Sequence, residues 1–73
     1  MILAPTVVMA KPPADAVPLS QIAAKIEQRA DFAHFDDIDW DDDGYYEIEY
    51  VTKDGAEVSI KIDPRTGEPR TAR

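Results

Sequence analysis

Apolar and polar residues alternate with a period of two along the second half of the chain, as they do in strands that bury one face. The apolar members of three successive segments all carry even numbers: Ile38 and Trp40; Tyr46, Ile48 and Tyr50; Val58, Ile60 and Ile62. Short segments ending in Gly44 and Gly55 separate them. The pattern predicts three strands, over Phe35–Asp41, Tyr45–Val51 and Glu57–Ile62.

The length of the first turn follows from keeping the apolar residues on one face. A two-residue Asp43-Gly44 turn would pair Trp40 with Glu47 and mix the two faces, because a slip of one residue reverses every side chain. A three-residue turn pairs Trp40 with Tyr46 and places the glycine at the left-handed position that such a hairpin needs. The same rule at Lys53-Asp54-Gly55 gives an antiparallel meander.

A helix is predicted before the sheet, over residues 19–29. Its apolar residues recur at helical spacing, and Ser20 is the predicted N-cap after Pro18. A helix of this length is marginal by itself in water, so we expect it to dock on the apolar face of the sheet. The predicted fold class is therefore α+β, with one N-terminal helix packed on a three-stranded antiparallel β-meander.

Composition narrows the set of partners. The chain has 73 residues, no cysteine and a net charge of −7, which indicates one small domain without disulfides or thiolate metal sites. Nucleic acid and anionic membranes are disfavoured as partners, because binding to either needs a positive surface. A basic protein surface or a cation is favoured instead.

The N-terminal residues are typical of a processing segment. Residues 1–10 are apolar and too short to span a bilayer, and small or aliphatic residues precede a predicted cleavage after Ala10. Three prolines in residues 11–18 predict a linker. We therefore expect a truncated signal-peptide-like segment and linker over 1–18, a domain over 19–69 and a flexible tail over 70–73. The predicted location is periplasmic or secreted, with no insertion into the membrane.

Several sequence elements resemble one family. A Leu-Ser-Gln-Ile helix start is followed by Gly44-Tyr45-Tyr46-Glu47, Lys-Asp-Gly and Asp-Pro-Arg-Thr-Gly-Glu-Pro. In this order they resemble the PepSY domain, shared by thermolysin-type peptidase propeptides and the spore-germination protein YpeB. The resemblance covers residues 18–69 and implies an extracytoplasmic module that restrains a peptidase or binds another protein, without catalytic residues. No peptidase follows in this chain, so we expect a free-standing module.

An acidic surface is the first candidate site. Eight of the fifteen acidic residues lie between Asp36 and Glu49, and no Lys or Arg occurs in residues 30–52. In the predicted register, like charges face each other across the outer side of the sheet, which is unfavourable unless a basic partner or a cation offsets it. The predicted partner-binding residues are Asp37, Asp39, Glu47 and Glu49.

A calcium-loop spacing is the second candidate. Asp39-x-Asp41-x-Asp43-Gly44 matches the first half of an EF-hand loop, but the twelfth position is Tyr50 instead of an acid. Weak calcium binding is therefore the alternative function, with Asp39, Asp41, Asp43 and Glu47 as the metal ligands. No other cofactor is expected.

Catalysis is not expected. His34 is the only histidine and has no serine or cysteine partner in a recognisable arrangement, and a three-stranded meander offers no walls to exclude water. Either edge strand could pair with a protein partner or with a second copy to form a homodimer. The acidic residues of the Phe35–Asp41 strand partly protect that edge from pairing, so the Glu57–Ile62 edge is the predicted pairing surface.

Overall fold

One helix precedes a three-stranded antiparallel sheet, which confirms the predicted fold class. The computed structural model describes residues 10–70. Residues 1–9 of the predicted signal-peptide-like segment and residues 71–73 of the predicted tail lie outside the described residues. The elements are α1 (Leu19–Glu27), β1 (Phe32–Asp41), β2 (Tyr45–Thr52) and β3 (Glu57–Ile62). The strand order is β1-β2-β3, with β2 in the centre.

Helix α1 begins at residue 19 as predicted, but its N-cap residue and its C-terminal end differ from the prediction. Pro18, and not Ser20, precedes the first helical residue, and its carbonyl accepts hydrogen bonds from the amides of Gln21 and Ile22 at 2.9 and 3.2 Å. At the other end, the amide of Arg29 donates to the carbonyl three residues earlier, at 3.0 Å. Such a bond tightens the last turn. The helix therefore ends at Glu27, and the chain turns into β1.

The predicted register of both hairpins is confirmed. Trp40 pairs with Tyr46 and Ile38 with Ile48 across the first hairpin. Tyr50 pairs with Val58, Ile48 with Ile60 and Tyr46 with Ile62 across the second. Gly44 and Gly55 have φ angles of 106° and 90°, the left-handed region that residues with a Cβ rarely adopt. The two glycines thus hold the three-residue turns that keep the apolar residues together.

Strand β1 begins earlier than predicted, because it contains two irregularities. Its pairing with β2 shifts by one residue between Phe32 and His34 and again between Phe35 and Asp37. Each shift leaves one extra residue on β1, as in a β-bulge. Phe32 and Phe35 consequently pack against the same core as the even-numbered residues of the strand, with their rings 4.8 Å apart.

The core lies between α1 and the apolar face of the sheet. Its most buried residues come from the helix and from β2 and β3: Ile22, Ile26, Tyr46, Ile48, Tyr50 and Ile62. Ile48 has no exposed surface and lies at the centre. The guanidinium of Arg29 donates a hydrogen bond to the Tyr50 hydroxyl at 3.1 Å, so the ring is buried while its polar end keeps a partner.

The residues after β3 return along its free edge. Asp63 begins a turn in which the amide of Gly67 donates to its carbonyl at 2.8 Å. Pro69 then forms an isolated antiparallel bridge with Ile62, and the amide of Arg70 donates to the carbonyl of Lys61 at 2.7 Å. Proline is tolerated on an edge because no N–H is needed there. We call residues 68–70 the C-terminal strap.

The segment before α1 contacts this turn. The amide of Val17 donates to the carbonyl of Pro64 at 2.7 Å, and its side chain packs against the core. A Cβ added to Gly67, whose φ is 75°, would lie 3.5 Å from the Val17 side chain. Arg65 also approaches Asp15 at 3.4 Å. The proline-rich segment is therefore fixed to the domain at its C-terminal end.

Truncating the central core residue tests this packing. Ile48→Ala is expected to lower the free energy of unfolding by about 2–5 kcal/mol, because it leaves a cavity in a fully buried position. Ile48→Val, expected to cost about 0.5–1.5 kcal/mol, covers the case in which the alanine variant does not fold. Urea unfolding measures both.

The matched control is Ile60→Ala, at the partly buried position that pairs with Ile48 on β3. Its loss should be clearly smaller. Equal losses at the two positions would contradict a core centred on β2.

Candidate functional site

The face of the sheet opposite α1 carries the candidate site. The residues here are those whose side chains alternate with the core residues along the strands. Six carboxylates, which we call the acidic face, share it: Asp36, Asp37, Asp39, Glu47, Glu49 and Glu57. Those of β2 are half-buried, and those of β1 and β3 are exposed. No element among residues 10–70 packs over this face in the way that α1 covers the other.

The four predicted partner-binding residues form two adjacent rows. Asp37 lies opposite Glu49, and Asp39 lies opposite Glu47, as the sequence predicted. A hydrogen bond with the Asp37 carboxyl, together with its negative charge, raises the pKa of Asp39 above its usual value of 3.8. Glu47 and Glu49 add smaller repulsions in the same direction. The Asp39 carboxyl therefore binds a proton more readily than an isolated aspartate does.

A second group of carboxylates lies beside these rows. Oxygens of Asp36, Glu49 and Glu57 lie within 4.8 Å of one another, one residue from each strand. A hydrogen bond with Asp36 and the charge of that residue raise the pKa of Glu57 above 4.5. The sequence prediction did not include Asp36 or Glu57. The odd number of Glu57 was a sufficient signal for this face, whereas Asp36 reaches it only through the irregularity in β1.

The nearest basic side chains do not neutralise these rows. Lys61 pairs with Glu47 across β2 and β3, but its ammonium lies over the Tyr45 ring at 5.3 Å. The guanidinium of Arg70 lies over the same ring at 4.8 Å. Within residues 10–70, the ion pairs closer than 4 Å join Lys25 to Glu68 and Arg65 to Asp15, away from the acidic face. The rows keep their negative charge.

The predicted metal ligands are divided between two places. Carboxylate oxygens of Asp41, Asp42 and Asp43 lie within 4.8 Å of one another in the first turn. Asp39 and Glu47 instead face each other in a row of the acidic face, outside that group. One oxygen of Asp41 already accepts a hydrogen bond from the amide of Asp43 at 2.8 Å. This bond closes the turn, which is a common structural role for aspartate.

The remaining features concern His34 and the membrane. His34 lies opposite Val51 near the start of β1, and its side chain is exposed. Over residues 10–70, no helix has the length and apolar character needed to cross a bilayer.

Comparison with known proteins gives one match. The family model PepSY_2, described as peptidase propeptide and YPEB domain, matches residues 1–72. The match includes the helix, all three strands and the C-terminal strap. No curated protein and no solved structure matches the chain.

Moderate acidification is expected to stabilise the domain. A carboxyl whose pKa is raised on folding contributes stability that is fully present below its unfolded pKa and is lost as the pH rises through its folded pKa. The raised pKa values of Asp39 and Glu57 place them in this class. The Thr52 hydroxyl lowers the pKa of Asp54, whose contribution is instead lost as the pH falls below 3.8. Thermal unfolding from pH 7 to 3 should therefore show its maximum on the acidic side of pH 7.

The variant Asp37→Asn removes the charge that acts on Asp39 and should reduce the gain in melting temperature on acidification from pH 7. Glu27→Gln, at the exposed end of α1, is the control and should keep the wild-type profile. A melting temperature that rises steadily towards pH 7, or an Asp37→Asn profile identical to that of wild type, would contradict the effect of Asp37 on the pKa of Asp39.

Proposed function

The chain belongs to the PepSY_2 family of peptidase propeptide and YPEB domains, and from this premise we propose a non-catalytic binding module that acts outside the cytoplasm. The module binds a basic protein surface through its acidic face. The partner class that the family favours is a peptidase, because the family is associated with propeptide and regulatory roles. Binding then restrains or positions that peptidase.

The observation that carries this proposal is the uncovered acidic face. Six carboxylates lie on one side of a three-stranded sheet, and two of them have raised pKa values because their neighbours are also acidic. A basic surface placed on these rows would replace repulsion between carboxylates by attraction. The complex would therefore gain more than isolated ion pairs give, since the free domain also loses an unfavourable interaction.

The shape of the face favours a protein over a small molecule. Adjacent strands are about 4.8 Å apart, so the rows present carboxylates on an open, gently twisted surface without walls. Small ligands bind best in concave sites that bury most of their surface. Lysine and arginine side chains of a second protein can instead lie between the rows, and the binding rate should depend strongly on salt.

The proposed location outside the cytoplasm rests on two supports. Members of the family are typically extracytoplasmic. The apolar residues 1–10 have the composition of the end of a signal peptide. A module in the periplasm or outside the cell would meet secreted peptidases after their export.

Charge neutralisation tests the acidic face. The full chain with Asp37→Asn and Glu49→Gln should bind its partner roughly three- to tenfold more weakly than wild type, since both changes remove rim charges. Cross-linking in the extracytoplasmic fraction of the source cells, followed by mass spectrometry, identifies the partner. Titration of the purified partner at two salt concentrations measures the affinity.

A control with Glu27→Gln and Asp31→Asn removes the same charge away from the acidic face and should bind like wild type. The proposal fails if both double variants bind equally well, or if raising the salt concentration leaves the wild-type affinity unchanged.

Weak calcium binding at the first turn is the alternative function. The observation in its favour is the closeness of the Asp41, Asp42 and Asp43 carboxylates. Calcium prefers six to eight oxygen ligands, and turn aspartates supply only part of such a set. Any site here should therefore be weak, with dissociation in the millimolar range as in extracellular modules, roughly 10⁻⁴–10⁻³ M.

Amide NMR titration of the chain with calcium, with magnesium as the reference ion, decides between the two functions. Saturable shifts confined to residues 39–47 and specific to calcium would support the alternative. Small, equal shifts with both ions would indicate screening of the acidic face and leave the protein-binding function in place.

A further inference from the structure

The edge of β3 is already paired along half of its length. Around the bridge between Ile62 and Pro69, the amide of Arg70 donates to the carbonyl of Lys61 at 2.7 Å. The amide of Asp63 donates to the carbonyl of Glu68 at 2.9 Å. Lys61 and Asp63 therefore direct their main-chain groups away from β2, and the C-terminal strap satisfies the carbonyl of Lys61 and the amide of Asp63.

The other half of this edge has no such cover. Main-chain groups alternate in direction along a strand, so Ser59 and Glu57 also direct theirs away from β2. The carbonyl of Ala56 agrees with this alternation, because it points the opposite way and accepts the amide of Thr52 at 2.8 Å. In the described part of the chain, no strand or bridge pairs with this stretch. We call residues 57–59 the open edge.

The strap shows where the side chains of an added strand would lie. Arg70 pairs with Lys61 through its main chain, and its guanidinium lies over the Tyr45 ring on the side of the acidic face. A segment on the open edge would repeat this arrangement at every second residue. The residue opposite Glu57 would then place its side chain beside that carboxylate, close to Asp36 and Glu49. A lysine or arginine fits this position.

A second copy of the chain fits the open edge poorly. Antiparallel pairing centred on Ser59 would place Glu57 opposite Lys61 of the other copy, which is favourable for charge. The strap, however, already occupies the main-chain carbonyl of Lys61 in each copy. Centring the pair on Glu57 instead would place two acidic side chains next to each other, which is unfavourable. A register centred on Val58 would pair Glu57 with Ser59 of the other copy and leave each Glu57 without a basic neighbour. Because no available register gives Glu57 a basic partner from a second copy, a basic segment of a different chain fits the open edge better.

We propose that the open edge pairs with a short extended segment of a partner protein that carries basic residues at alternate positions. The inference rests on the proposed function, because it describes how the partner of the acidic face is held. The added strand supplies main-chain hydrogen bonds to Glu57 and Ser59, and its basic side chains extend over the acidic face. Addition of a strand to an exposed edge is a recurring mode of peptide recognition.

The probe is an eight-residue peptide of alternating lysine and threonine, titrated into the isotopically labelled full chain. Its lysines, opposite Glu57 and Ser59, should direct their amides towards β3. N-methylation of the lysine amides should weaken binding by about tenfold or more, because main-chain hydrogen bonds are lost. N-methylation of the threonine amides should leave the affinity unchanged, because those amides point away from β3.

A variant of the domain gives the reciprocal test. Ser59→Pro removes an outward N–H and should also weaken binding of the unmodified peptide by about tenfold, while the amide spectrum of the rest of the sheet is retained. Ser59→Ala, which keeps the N–H, should bind like wild type. The largest shifts on binding should occur at residues 57–60.

Three outcomes would overturn the inference. Equal binding of all three peptides would mean that charge alone holds the partner, which leaves the acidic-face function intact. Absence of binding up to millimolar peptide would exclude strand addition at this edge. A concentration-dependent dimer that Ser59→Pro abolishes would assign the edge to a second copy. Failure of the acidic-face function itself has a separate signature, namely a natural partner that is insensitive to Asp37→Asn and Glu49→Gln.

Discussion

The register of the two hairpins is the constraint on which the rest of the structure depends. Three-residue turns with left-handed Gly44 and Gly55 align the even-numbered apolar residues from Ile38 to Ile62 on one face of the sheet. A slip of one residue would expose Ile48 and bury its acidic neighbours. Burial of one such side chain contributes about 1.5–3 kcal/mol, so a slipped sheet would lose several contributions of this size at once. In a domain this small, no slipped register approaches the native register in stability.

The same register creates the acidic face. Alternation that buries Ile48 necessarily brings Glu47 and Glu49 opposite the aspartates of β1. The basic side chains nearest to these rows are directed elsewhere, because Lys61 and Arg70 both cover the Tyr45 ring. Tyr45 is thereby only 8% exposed although it lies on the outer side of the sheet. Core formation and a concentrated negative surface are thus two consequences of one pattern.

The period-two pattern was sufficient to predict β2, β3 and both turns. In these segments apolar residues occupy one face and polar residues the other, and only one register keeps the two faces separate. The pattern was insufficient for the start of β1. Phe32 and Phe35 differ in parity, and only an inserted residue allows both to reach the core. Such an insertion has no signature in hydrophobicity. The end of α1 was also misjudged: Arg29 was expected to lie within the helix, but it follows it and donates to the Tyr50 hydroxyl.

The candidate site was predictable to the same extent as the register. Asp37, Asp39, Glu47 and Glu49 lie in the predicted rows, whereas Asp36 is the extra residue of the second irregularity in β1. The C-terminal strap could not be predicted, because Pro69 indicates the end of pairing in a central strand and is tolerated on an edge. That difference matters for function. The strap occupies the part of β3 at which a copy could match Glu57 with Lys61, and other registers give Glu57 no basic partner from a copy. A basic segment meets neither obstacle, so the arrangement that limits self-association also selects the charge of the partner.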